Sequence, residues 1–222
     1  MPFRRLSDNW LWTAAALSFV ISLTRWGPLV LYPFRLFTTW VHECGHAVMT
    51  VLVGGHVNSI VILQNGAGVT SSLMPLSRVA QGLVVSSGYL GTSIIGCALM
   101  LAARGAKRAH GILWAIGAFM LITLIIWMRN LFGVAVVLIW GVALIALSRR
   151  GSGRISAFVL SLLAVQVALN SVFDIRVLFL LHGGHSDAET MAKLFVLPAW
   201  TWASLWMLIS VGLLTWTLVR TR

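Results

Sequence analysis

A succession of long apolar stretches, broken by short basic connections, limits this chain to very few architectures. The stretches cover residues 10–23, 36–53, 79–103, 111–128, 131–147, 155–181 and 195–219. A bilayer-crossing helix needs about 20 mostly apolar residues, so six of these qualify. The first is short, and Arg25 with Trp26-Gly27-Pro28 interrupts it before the apolar residues 29–32. Composition agrees, with 59% of residues apolar and 9% charged. A soluble domain carries about 25% charge. The expectation is an all-α polytopic membrane protein of six to seven transmembrane helices, forming a single integral-membrane domain over residues 1–222.

The 16 Lys and Arg against five acids give a net charge of +11. In a soluble chain that balance would suggest nucleic acid. Here the basic residues sit between apolar runs, where they set topology and meet anionic headgroups, so the expected partner is the lipid bilayer and not nucleic acid. Counting Lys and Arg on alternate faces of a seven-span arrangement gives ten against five, while the Arg4/Arg5 pair favours the opposite orientation. Orientation stays open. Cys44 and Cys97 both lie in apolar runs, which excludes a disulfide framework or a Cys-rich metal site.

One connection differs from the rest. Between Gly54 and Arg78, the β-branched stretch 56–63 precedes Gln64-Asn65-Gly66 and then Ala67-Gly68-Val69-Thr70. Asn-Gly between such stretches is a strong hairpin signal. A small β-hairpin is expected after the second segment, with a free strand edge on which Ile60 and Ile62 offer backbone donors.

That second segment contains His42-Glu43-Cys44-Gly45-His46, an HExxH pattern. Histidines at i and i+4 share a helix face, so both imidazoles can reach one metal ion. Glu43 can then approach a metal-bound water as general base. By composition alone such a pattern arises roughly once in a thousand chains of this kind. Ionisable side chains at membrane depth are unfavourable without a metal or partners, which makes a polar packing cluster the weaker reading.

A catalytic zinc site needs a third protein ligand. Besides Glu43, the one acid inside an apolar run is Asp174, with Asn170 one turn earlier on the same face. His46 and Asp174 each lie about 10 Å from segment ends that emerge on one membrane face, so they can share a depth. The alternative for Asp174 is a pair with Arg176. The following loop, His182-Gly183-Gly184-His185-Ser186-Asp187, offers further ligands on that face. Asp187 or His185 would have to fold back into the membrane to contribute. In the third segment Ser86-Ser87-Gly88-Tyr89-Leu90-Gly91 forms a small-residue face suited to close helix packing.

Together these features resemble the site-2 protease family of intramembrane zinc peptidases, in its compact branch without a PDZ domain. The resemblance rests on the apolar HExxH helix, Gly54-Gly55 with the hairpin, the Gly88–Gly91 Gly-Tyr-Leu-Gly helix, and the late helix bearing Asn170 and Asp174. It implies one zinc ion on His42, His46 and Asp174, Glu43 as catalytic base, and Asn170 holding a substrate strand. The family's Asn-Pro and Asp-Gly pairs are absent, and Ile175 stands where a glycine is usual. The implied function is hydrolysis of peptide bonds in membrane-embedded protein substrates, the hairpin edge receiving the unwound segment by β-addition. The alternative is a non-proteolytic or inactive metal-binding membrane scaffold or transporter. A transporter would be expected to show two matching halves with broken helices, which this chain lacks.

Overall fold

Within a bilayer, a segment must satisfy its backbone N–H and C=O groups internally, and apolar stretches therefore become helices. A computed structural model describes residues 4–103, 106–179 and 186–221. In chain order they form α1 (Arg4–Ser22), α2 (Gly27–Leu52), β1 (His56–Ile62), β2 (Gly68–Leu73), α3 (Arg78–Ala102), α4 (Ala106–Ile126), α5 (Leu131–Arg150), α6 (Gly153–Leu178), α7 (Asp187–Leu194) and α8 (Ala199–Thr221). The chain is an all-α membrane protein with one small hairpin, as its sequence predicts.

Among the described residues five helices, α3, α4, α5, α6 and α8, are long and apolar enough to cross a membrane. The apolar part of α1, Trp10–Ser22, is shorter. Helix α2 runs 26 residues, joining the 29–32 and 36–53 runs through Pro33. It falls outside the five because Arg35, His42, Glu43 and His46 lower its hydropathy.

Small residues set the helix contacts, as they do where lipid removes any hydrophobic drive between helices. A Cβ on Gly45 of α2 would lie 2.5 Å from the Ser87 carbonyl of α3. Gly96 meets the Ala168 backbone of α6 in the same way, and Gly117 of α4 meets Gly141 of α5. Buried polar pairs tie further helices together. Gln166 donates to Ser18 at 2.9 Å, Trp40 donates to Thr123 at 3.0 Å, and the Ser93 and Ser210 hydroxyls lie 2.6 Å apart.

The hairpin forms where expected. A 3.0 Å bond from Gly66 N–H to the Leu63 carbonyl makes a turn, Gly66 takes φ +85°, and Leu63 N–H closes onto the Ala67 carbonyl at 2.8 Å. This is the three-residue loop in which a glycine supplies the left-handed position.

The free edge is not where the sequence placed it. Ile60 donates to the Trp127 carbonyl at 2.7 Å and accepts from Arg129 N–H at 3.2 Å. The Asn130 side chain brackets Ile62, accepting its N–H at 3.2 Å and donating to its carbonyl at 2.7 Å. The α4–α5 connection therefore occupies the outer edge of β1 at these positions. Ile60 and Ile62 pair with Thr70 and Gly68. Since Ile60 and Ile62 turn their backbone groups away from β2, these pairs are of the non-hydrogen-bonded kind, and the amides of Thr70 and Gly68 point off the opposite side. The open edge belongs to β2.

Candidate metal centre

Helix α2 brings His42 and His46 onto one face with their Nε2 atoms 3.0 Å apart. His46 is buried, and its Nδ1 lies 2.8 Å from the Val84 carbonyl of α3, to which it donates. That bond leaves Nε2 turned towards His42 and Asp187, where it can bind a metal once it carries no proton. The third member of the group is Asp187, whose Oδ2 lies 3.2 Å from His42 Nε2 and 3.3 Å from His46 Nε2. Among the described residues, His42, His46 and Asp187 form the cluster able to hold a metal ion.

These distances fit the chemistry of the donors. A tetrahedral ion about 2.0–2.1 Å from each ligand atom needs those atoms about 3.3 Å apart. The three edges of 3.0, 3.2 and 3.3 Å come close to one face of that tetrahedron. Room for the ion comes from Gly88 of α3. A Cβ built there would lie 2.4 Å from His46 Nε2 and 2.5 Å from His42 Nε2. Any larger residue would fill the space on which both nitrogens converge. Gly88 therefore floors the site, a role beyond the helix packing read from the small-residue face.

Asp187 reaches the histidines from the start of α7. Ser186 caps α7, its hydroxyl accepting from Glu189 N–H at 3.3 Å, and Asp187 occupies the first turn. The buried face of α7, Ala188 and Met191, packs in a cluster with Val85, Ile175, Ala203 and Trp206. That packing holds Asp187 over the histidines. Burial opposes its charge, but the imidazoles of His46 and His42 outweigh burial and keep the carboxyl well below the usual carboxylate range. Ser186-Asp187-Ala188-Glu189 is a capping-box pattern, a helix-start signal legible in the sequence that places Asp187 in the first turn.

Asp174, the expected third ligand, is not part of the trio. It lines the same cavity, of about 580 Å³, together with Arg35, Glu43 and Tyr89. No ion pair joins it to Arg176. Asn170 directs its amide elsewhere, donating to Thr38 at 3.2 Å, one turn before His42. The loop candidates His182 and His185 lie outside the described residues.

Glu43 is buried next to the trio and is held by the hairpin. The Thr70 hydroxyl donates to Glu43 Oε2 at 2.7 Å and lies 3.1 Å from the Glu43 carbonyl. The other carboxylate oxygen rests over Gly68, where a Cβ would lie 2.5 Å away. Three further α2 side chains bind the hairpin turn. Tyr32 donates to the Gln64 carbonyl, Thr39 donates to Gly66 O at 2.8 Å, and Arg35 lies against Gly66. The helix that carries the histidines thus also carries the strand whose edge is open.

A helical membrane protein that converges two histidines and a carboxylate beside a buried glutamate has the build of a membrane metallopeptidase. The chain belongs to the Peptidase M50B-like family, whose model matches residues 12–217. M50 peptidases are in general zinc-dependent, in keeping with the site-2 protease resemblance of the motifs. Comparisons with curated proteins and with solved structures return no match.

Proposed function

We propose that this protein is an intramembrane zinc endopeptidase acting on membrane-embedded protein substrates. The observation that carries this reading is the near-equilateral triangle of His42 Nε2, His46 Nε2 and Asp187 Oδ2 above Gly88. His42, His46 and Asp187 would hold the zinc, with Asp187 in the part that the sequence assigned to Asp174. A bound zinc supplies Lewis acidity, bringing the pKa of its water near 7 and polarising a carbonyl. A carboxylate ligand suits a low-dielectric site because it offsets part of the ion's charge.

The chain's own residues do the rest. Glu43 takes the proton of the attacking water and returns it to the leaving nitrogen, and the Thr70 hydroxyl keeps the carboxylate aimed. The His46 bond to Val84 fixes the imidazole tautomer. The Gly68 and Thr70 amides on the open β2 edge hold an unwound substrate segment in extended form, so that its carbonyls leave their own helix and reach the site. Asn170, committed to Thr38, acts by fixing α6 against α2.

The test is purified protein in detergent micelles, incubated with a proteome-derived peptide library and read by mass spectrometry for new termini. Wild type should generate them. Glu43→Gln should generate none while retaining one zinc per chain. Equal cleavage by both proteins would remove Glu43 from the mechanism, and loss of zinc would make Glu43 a ligand.

A further inference from the structure

Hydrolysis of a peptide bond builds negative charge on the carbonyl oxygen, which a hydrogen-bond donor can share with a metal ion. When water adds to the scissile carbonyl, its oxygen bonds to the carbon, its proton passes to Glu43, and the carbonyl π pair moves onto the carbonyl oxygen. The C–N bond then breaks as Glu43 returns the proton to nitrogen. Between these events the former carbonyl oxygen carries a full negative charge, and donors aimed at such a charge contribute strongly to catalysis.

Most hydroxyl donors around the cavity are committed elsewhere. Thr39 bonds Gly66, Thr70 bonds Glu43, and Thr190 bonds the Ser186 carbonyl. Tyr89 differs. It follows Gly88 on α3, and its ring meets that of His42 edge-on, with centroids 4.7 Å apart and planes at 81°. On its other side the ring stacks on Trp206 of α8, at 5.2 Å and 21°. Trp206 is fully buried in the cluster that seats α7, so the phenol ring is clamped. The hydroxyl has no hydrogen-bond partner among the described residues, yet the side chain lines the cavity and lies within electrostatic reach of Asp187, Asp174 and Glu43. A rigid ring beside a ligand histidine, ending in a donor that no described residue engages, is built to meet something that enters.

We infer that Tyr89 is a catalytic residue, whose phenolic O–H donates to the scissile carbonyl oxygen as that oxygen takes up negative charge. The inference rests on the peptidase reading and adds to it. Tyr89 keeps its proton throughout and serves as a hydrogen-bond donor. Its clamped ring fixes the donor before a substrate enters, and such preorganised donors are the most effective.

Tyr89→Phe removes the hydroxyl and keeps both ring contacts. On the best-cut peptide from the library, kcat should fall about 100- to 1,000-fold with KM within about twofold of wild type. Zinc content should stay at one per chain. A phosphinate analogue of that peptide, which mimics the tetrahedral adduct, should bind Tyr89→Phe at least tenfold more weakly than wild type. The unmodified peptide should bind Glu43→Gln and the Glu43→Gln/Tyr89→Phe double variant equally. Wild-type kcat in Tyr89→Phe, or a fall shared with zinc content or peptide binding, would overturn the role of the tyrosine and leave the peptidase reading standing. Absence of Glu43-dependent cleavage in wild type would remove both.

Discussion

Gly88→Ala adds one methyl group 2.4 Å from His46 Nε2 and 2.5 Å from His42 Nε2. Ordinary contact lies at about 3.5 Å, so each ring would have to retreat by about 1 Å. Metal–ligand distances tolerate about 0.2 Å. The rings have little freedom to yield, since His46 is buried and bonded to Val84. Breaking that bond costs about 1 kcal/mol. Separating α2 from α3 is no easier, because Gly45 already sits against the Ser87 carbonyl. Overpacking of this kind costs about 1–3 kcal/mol, and tenfold in affinity corresponds to about 1.4 kcal/mol. Zinc affinity should therefore fall about 10- to 100-fold. The assay is metal analysis of detergent-purified protein after dialysis against a zinc buffer, with circular dichroism to establish that the variant is helical. Gly91→Ala is the control, since its nearest neighbour would lie 3.8 Å away. It should keep one zinc per chain. A helical Gly88→Ala protein that also kept full zinc would refute the assignment of this space to the metal.

Two further outcomes follow from the same geometry. Asp187→Ala removes one of three protein ligands and should cut zinc occupancy sharply by metal analysis, while Asp174→Ala keeps most of it. The reverse result would return the third ligand to α6. Gly68→Ala places a methyl 2.5 Å from Glu43 Oε1 and displaces the base without touching the trio. Peptide cleavage should drop about 10- to 100-fold, the scale of a misplaced acid–base group, with zinc unchanged. Full activity would mean that the β2 contact does not position Glu43.

Much was legible in the sequence because it depends on local spacing. An apolar run of sufficient length becomes a helix whatever surrounds it, and His42 and His46 share a face through helical period alone. Asn65-Gly66 between β-branched runs specified the hairpin, since the turn draws on Gly66's own backbone freedom. The mixed character of α2, long enough to span yet carrying Arg35, His42, Glu43 and His46, was equally visible.

What the sequence left open depends on where separate segments meet. Depth along α6 pointed to Asp174, but depth says nothing of the path taken by a connection. Burial of Ala188 and Met191 against Val85, Ile175 and Trp206 turns α7 back and delivers Asp187 to the histidines. The open edge passed to β2 for a similar reason, because Trp127, Arg129 and Asn130, some seventy residues from β1 in the chain, fill the other side. Gly88 and Tyr89 read as packing residues until α2 and α8 close against α3. Periodicity and propensity act within a segment, so the sequence determined which helices form and which carries the histidines. Ligand choice and edge exposure depend on contacts between segments, and those only the packed tertiary structure decided.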